Sequence, residues 1–281
     1  MRVAVAEPVR GPLPIGPPAG AAAPRAGWFR RRGAMLVVLV EVTLILGLWE
    51  AAAGPLEWVN KVFLPPPSAV LRGFGALVEQ DLAGHALYSF QNFLSGFVLA
   101  AAFGVAGGLA IGSIEAARRL LGPLAWTLYA MPLIAIRPMT TIWFGFGAAP
   151  IIFLVFLSAL FPVLLNTMSG VGSVDASLLR AGRVYGCRRT ELWRKIVLPA
   201  TLPFVLTGLR LAVVSGFIGL LVSELVGSPK GFGAIVSIAS SRYRVNEAFA
   251  AIIIVVACSV SLVRLVGSLE RRVAAWRVTA T

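Results

Sequence analysis

Residues 200–226 read Ala-Thr-Leu-Pro-Phe-Val-Leu-Thr-Gly-Leu-Arg-Leu-Ala-Val-Val-Ser-Gly-Phe-Ile-Gly-Leu-Leu-Val-Ser-Glu-Leu-Val, and within them only Arg210 and Glu224 are charged. A helix needs about 20 apolar residues to cross a hydrocarbon core of about 30 Å. This stretch is long enough to do so. Comparable stretches run from Ala34 to Ala53 and over about 86–113, 120–142, 149–168 and 247–267. None alternates with the two-residue period of a membrane barrel, so helices are expected. The fold class is therefore an all-α membrane protein with six transmembrane helices. Pro132, Pro138, Pro150 and Pro162 interrupt or flank the third and fourth spans.

Composition agrees with this reading. Of 281 residues, 58% are hydrophobic and 13% charged, and the mean hydropathy is +0.86. Soluble domains carry about 25% charged residues. Disorder, nucleic-acid-only binding and most soluble enzymes are excluded. The net charge of +13 has a topological explanation. With the N-terminus inside, 18 of the 25 Lys and Arg residues fall on the cytoplasmic side, so both termini are expected there. Cys187 and Cys258 lie far apart, so neither a disulfide framework nor a metal site is expected. No cofactor is expected either.

Residues 1–33, rich in Pro, Gly and Ala and ending in Arg30-Arg31-Arg32, read as a disordered cytoplasmic tail. The six-span domain is placed at 34–272, with a cytoplasmic loop at 170–199 and a second tail at 273–281. In the second span Gly96, Ala100, Gly104, Gly108 and Gly112 recur every four residues. They share one face and allow another helix to approach closely.

The loop between the fourth and fifth spans is the most informative segment. Asp175 can cap a short helix carrying Leu178, Leu179 and Val184, and Gly186 permits a turn. A second short helix from about Thr190 presents Leu192, Trp193 and Ile196 before Pro199 opens the next span. Two amphipathic helices joined at a glycine suit a docking surface for a cytosolic partner. A loop whose arginines meet anionic lipid is the alternative.

Gly186 followed by Ile196-Val-Leu198-Pro199 resembles the EAA loop of permease subunits in binding-protein-dependent ABC importers. Other segments extend the likeness over roughly residues 42–272. Leu64-Pro-Pro-Pro-Ser-Ala-Val resembles the segment after the family's first span, and His85 to Phe97 its approach to the second. Pro132 to Trp143-Phe-Gly, Leu202-Pro to Gly-Leu-Arg210, and Ser223-Glu-Leu-Val-Gly with Gly231-Phe-Gly resemble the nitrate, sulfonate and taurine branch. The resemblance implies a type I importer bundle in a bacterial inner membrane. It also implies two cytosolic ATPase subunits, a second permease copy and an extracytoplasmic solute-binding protein. The coupling residues it implies are Ala181, Gly182, Tyr185, Gly186, Leu192, Trp193, Ile196, Leu198 and Pro199. Three positions depart from the pattern. Arg180 stands at the family's glutamate position, Asn92 where an arginine is frequent, and Arg137 where relatives are usually apolar.

Charges at bilayer depth cost about 2.5–3.5 kcal/mol on insertion scales and need a partner or a purpose. Helical rise places Arg137 near the depth of Glu224, and Glu41 near that of Arg210. Two ion pairs are therefore expected, Arg137–Glu224 and Glu41–Arg210. The alternative is that Arg137 faces the translocation path and attracts an anion. Asn166, Thr167, Thr207 and Ser215 are weaker candidates for lining that path. His85, the single histidine, is expected at the outer edge of the membrane without a ligand role.

No Walker loop is present, so the chain is not expected to be an enzyme, and any ATP hydrolysis belongs to a partner. A secondary transporter is the competing class. It would need no ATPase and would typically show inverted repeats, and none is evident here.

Overall fold

The computed structural model describes residues 27–56 and 58–274, and among them every regular element is helical. Five helices are long and apolar enough to cross a membrane, or six when a bent pair counts as one span. The chain divides into two compact units, 1–49 and 50–281.

The first unit holds most of α1 (Gly27–Ala53). Described from Gly27, this helix already includes the seven residues before the expected boundary at Ala34. The rest of the expected N-terminal tail lies outside the described residues. Its stretch Leu36–Ala53 has a mean hydropathy of 2.0, as a membrane span requires.

The second unit contains α2 (Pro67–Glu79), α3 (Leu82–Ser113), α4 (Glu115–Tyr129), α5 (Arg137–Phe144) and α6 (Ala148–Gly172). It continues with α7 (Ala176–Val184), α8 (Arg189–Leu192), α9 (Leu198–Leu225), α10 (Phe232–Ser241) and α11 (Val245–Ala274). Residues 275–281 of the expected C-terminal tail lie outside the described residues.

Helix α6 is the centre of the bundle, packed between α3 and α9. Apolar burial offers little driving force in lipid, so close van der Waals contact must hold these helices together. The small-residue face of α3 supplies it. A Cβ on Gly108 would lie 2.6 Å from the Cβ of Thr167 and 2.7 Å from the Leu164 carbonyl oxygen. All five small residues predicted to share that face are buried. Towards α9, Phe93 stacks on Phe217 with ring centroids 4.2 Å apart.

The third expected span is not one straight helix. Helix α4 and the segment Leu133–Phe144 meet at 80°. Pro132 lacks an N–H and disfavours helical geometry at Met131, and Pro138 lies in the first turn of α5. The fifth span departs in the opposite sense. It is continuous from Arg189 to Leu225, so the expected second loop helix is its extension. Between Trp193 and Val197 the helix widens to a π-turn, in which the Leu198 N–H donates to the Trp193 carbonyl. Pro199 removes the N–H that would otherwise meet the Lys195 carbonyl, and its ring crowds that turn.

Candidate functional site

Helix α7 is short, and both its ends are closed by side-chain or backbone geometry. The Ser177 N–H donates to Oδ1 of Asp175 at 2.7 Å. That bond, with a second from the Ser177 hydroxyl, holds the Asp175 carboxyl below the usual carboxylate range. At the other end Gly186 has φ +77°. The Cys187 N–H reaches the Gly182 carbonyl and the Gly186 N–H the Arg183 carbonyl, both at 3.0 Å. These are the paired bonds of a Schellman motif, which needs a left-handed residue where Gly186 stands.

The predicted coupling residues separate into two sets. Leu192 is buried, while Trp193, Ile196 and Pro199 are half-buried. Gly182 lies over Leu192, whose Cδ2 is 2.5 Å from where a Cβ would sit. This set fixes α7 against the foot of α9. The other set faces outward, with Tyr185 87% exposed and Ala181, Gly186 and Leu198 also exposed; beside it, outside the predicted set, Val184 is 85% exposed and Leu178 is exposed as well. Between the loop and the ends of α3 and α6 lies a cavity of about 550 Å³ that Arg183, Arg189 and Trp193 help to line. Arg180 is exposed on α7.

The intramembrane charges are arranged differently from the expectation. Arg137 is 2% exposed and Glu224 fully buried, at adjacent places. No ion pair joins them. Arg137 donates from Nε to the Ser223 carbonyl at 3.0 Å and from Nη2 to the Val226 carbonyl at 2.8 Å. Its Nη1 meets the Thr141 hydroxyl. Glu224 accepts from the Ser89 hydroxyl at 2.8 Å and from the Gly233 N–H at 3.0 Å. Each charge thus sits at a helix end of suitable polarity. The guanidinium meets carbonyls at the C-terminus of α9, and the carboxylate meets an N–H at the N-terminus of α10. Helix ends, rather than each other, supply the hydrogen-bond partners of these two residues. Arg137 is therefore buried with its guanidinium on two backbone carbonyls and the Thr141 hydroxyl.

Three further residues complete this end of the bundle. The Ser89 hydroxyl also accepts from the Phe232 N–H at 2.9 Å, and the Gly231 N–H donates to Nδ1 of His85 at 3.0 Å. His85 therefore tethers the turn into α10. That turn has φ of +75° at Gly227 and +109° at Gly231. Ser89 and Thr141 escape a sequence reading because nothing local marks them. Asn92 is buried, and its Nδ2 has no hydrogen-bond partner among the described residues. Among the weaker path candidates, Asn166 and Thr207 donate to the Pro162 and Pro203 carbonyls, and Thr167 is fully buried. Glu41 falls in the first unit and Arg210 in the second, so their pairing stands as an expectation from depth.

A family model described as "Binding-protein-dependent transport system inner membrane component" matches residues 102–275. Among curated proteins the chain is 33% identical over 249 residues to the "Putative aliphatic sulfonates transport permease protein SsuC" of Bacillus subtilis, covering 88% of this chain and 90% of that protein. It is 29% identical to the taurine transport system permease protein TauC of Escherichia coli, covering 84% and 87%. It is 28% identical to the nitrate import permease protein NrtB of Leptolyngbya laminosa, covering 82% and 84%.

Proposed function

Because the chain belongs to the family of inner membrane components of binding-protein-dependent transport systems, we propose that it forms half of the translocation path of an ATP-driven importer for a small anion. Two copies of the chain enclose the path. Two cytosolic ATPase subunits grip the α7 loops, and an extracytoplasmic binding protein delivers solute at the opposite end, near α2 and α10. Both termini face the cytoplasm, as the distribution of arginine and lysine favours. The relatives named for sulfonates, taurine and nitrate support a solute of that class.

The observation that carries the coupling role is the exposed tip of α7. Val184 and Tyr185 offer large side chains to a partner at the end of a helix whose other face is packed on Leu192 and Ile196. Helix α8 and the π-turn join this support to α9 without a break. When ATP binding draws the two ATPases together, movement of α7 passes to α9 as rigid-body rocking. The chain holds no nucleotide loop of its own.

Purification of the tagged chain from native membranes in mild detergent tests this reading. An ATPase subunit in equal ratio is expected, and Val184→Asp with Tyr185→Ser should remove it. A stable assembly without any nucleotide-binding subunit would discard the ATP-driven reading and favour an ion-coupled transporter.

A further inference from the structure

Beside the bend between α4 and Leu133, a cavity of about 380 Å³ opens between α6 and α9. Three hydroxyls, those of Tyr129, Ser158 and Ser215, are the only polar side-chain groups in its otherwise apolar wall. Serine and threonine within helices commonly bond back to a carbonyl one turn earlier, as Thr201 does to Val197 at 2.8 Å. Ser158 and Ser215 make no such bond, and the Tyr129 hydroxyl has no partner among the described residues. Gly219 keeps one of them uncovered, because a Cβ there would lie 2.4 Å from the Ser158 Oγ.

A cation stands behind the same wall. Ile134 and Val222 line the cavity. Arg137 follows Ile134 by three residues and holds the carbonyl of Ser223, the neighbour of Val222. Its burial keeps the guanidinium out of the chamber. No carboxylate lines the cavity.

We propose that this cavity is a transit site for a small oxyanion of the sulfonate or nitrate kind, held by the hydroxyls of Tyr129, Ser158 and Ser215 rather than by direct contact with a cation. The proposal rests on the reading of the chain as a permease for a small anion. Hydroxyl groups can donate to the oxygens of such an ion, and the apolar wall displaces its water. Neutral donors hold an anion more weakly than a guanidinium does, and a conducting site must release what it binds.

The test uses the importer reconstituted in proteoliposomes with its ATPase subunits and binding protein, offered taurine, ethanesulfonate and nitrate. The triple variant Tyr129→Phe, Ser158→Ala, Ser215→Ala should assemble with the ATPase in the parent ratio. Its uptake of the transported anion should fall about a hundredfold, three hydroxyl contacts being lost together. Ser215→Asp should abolish uptake by like-charge repulsion, whereas Ser215→Asn, which keeps a donor, should retain it. Parent-rate uptake by the triple variant would overturn the site while leaving the anion importer intact. Equal loss in Ser215→Asp and Ser215→Asn would also overturn it. A parent complex that imports neutral solutes but none of the three anions would overturn both readings.

Discussion

Nη2 of Arg137 donates to the carbonyl oxygen of Val226 at 2.8 Å, so a side chain from the far half of a broken span closes the end of α9. With the Ser223 carbonyl held by Nε, one guanidinium satisfies two acceptors that have no helical partner. Arg137→Met should strand both at a cost of about 1–3 kcal/mol each, lowering the Tm in detergent. Lysine carries one compact ammonium and cannot span two carbonyls, so Arg137→Lys should fall between parent and methionine. The double reversal Arg137→Glu, Glu224→Arg should restore nothing, because the two residues do not bond to each other. Rescue in that double variant would return the ion pair to consideration.

Glu224 has the complementary task at α10. Glu224→Ala should leave the Gly233 N–H without its acceptor, at about 1–3 kcal/mol, while Glu224→Gln keeps one oxygen and should cost less. Gly233→Ala should match the damage of Glu224→Ala from the opposite side, since its Cβ would lie 2.5 Å from the Glu224 Cβ. Hydrogen exchange of the Phe232 and Gly233 amides measures this directly. Faster exchange is expected in Glu224→Ala and Gly233→Ala. Parent-like protection in both would show that the carboxylate does not hold α10.

The apolar runs made the spans legible, and four-residue spacing of small residues made the α3–α6 contact legible. The Asp175 cap and the Gly186 turn were readable because capping and turn residues act locally, whereas the second loop helix proved to continue into α9. What escaped depends on where helices stop. Nothing around Glu224 announces that α10 begins a few residues later with a free N–H aimed back at it. Pro132 and Pro138 signalled an interruption, but not that it would bend by 80° and carry Arg137 to the end of α9. A partner chosen by depth alone omits the backbone, which in lipid is the nearest source of unsatisfied donors and acceptors.

Adjacent glycines of α3 should respond oppositely. Gly108→Ala forces a Cβ to 2.6 Å from that of Thr167, whereas the nearest atom to a Cβ on Gly107 is a Leu164 methyl at 3.4 Å. Overpacking costs about 1–3 kcal/mol, and alanine favours helix over glycine by about 0.8–1.0 kcal/mol. Gly108→Ala should therefore lower the Tm in detergent, and Gly107→Ala should leave it unchanged or raise it slightly. Equal responses at the two positions would show that α3 and α6 do not meet along this face.

The coupling loop separates two kinds of damage. Gly186 sits at φ +77° with open space where a Cβ would be. Gly186→Val is therefore penalised through backbone strain alone, by about 1–3 kcal/mol. It should loosen α7 and weaken ATPase association. Val184→Ser with Tyr185→Ser changes exposed side chains and should release the ATPase with no change in Tm. Acid acts through Asp175. Its folded-state carboxyl is depressed, so the cap is fully present above the unfolded value of about 3.9 and is lost as pH falls through the folded value. Protonation of Asp175 should thus leave ATPase co-purification unchanged between pH 5 and pH 8, about one unit or more above that carboxyl. Asp175→Ala should weaken association throughout that range. Co-purification that titrated within the window only when Asp175 was present would show that its carboxyl is not held low by Ser177.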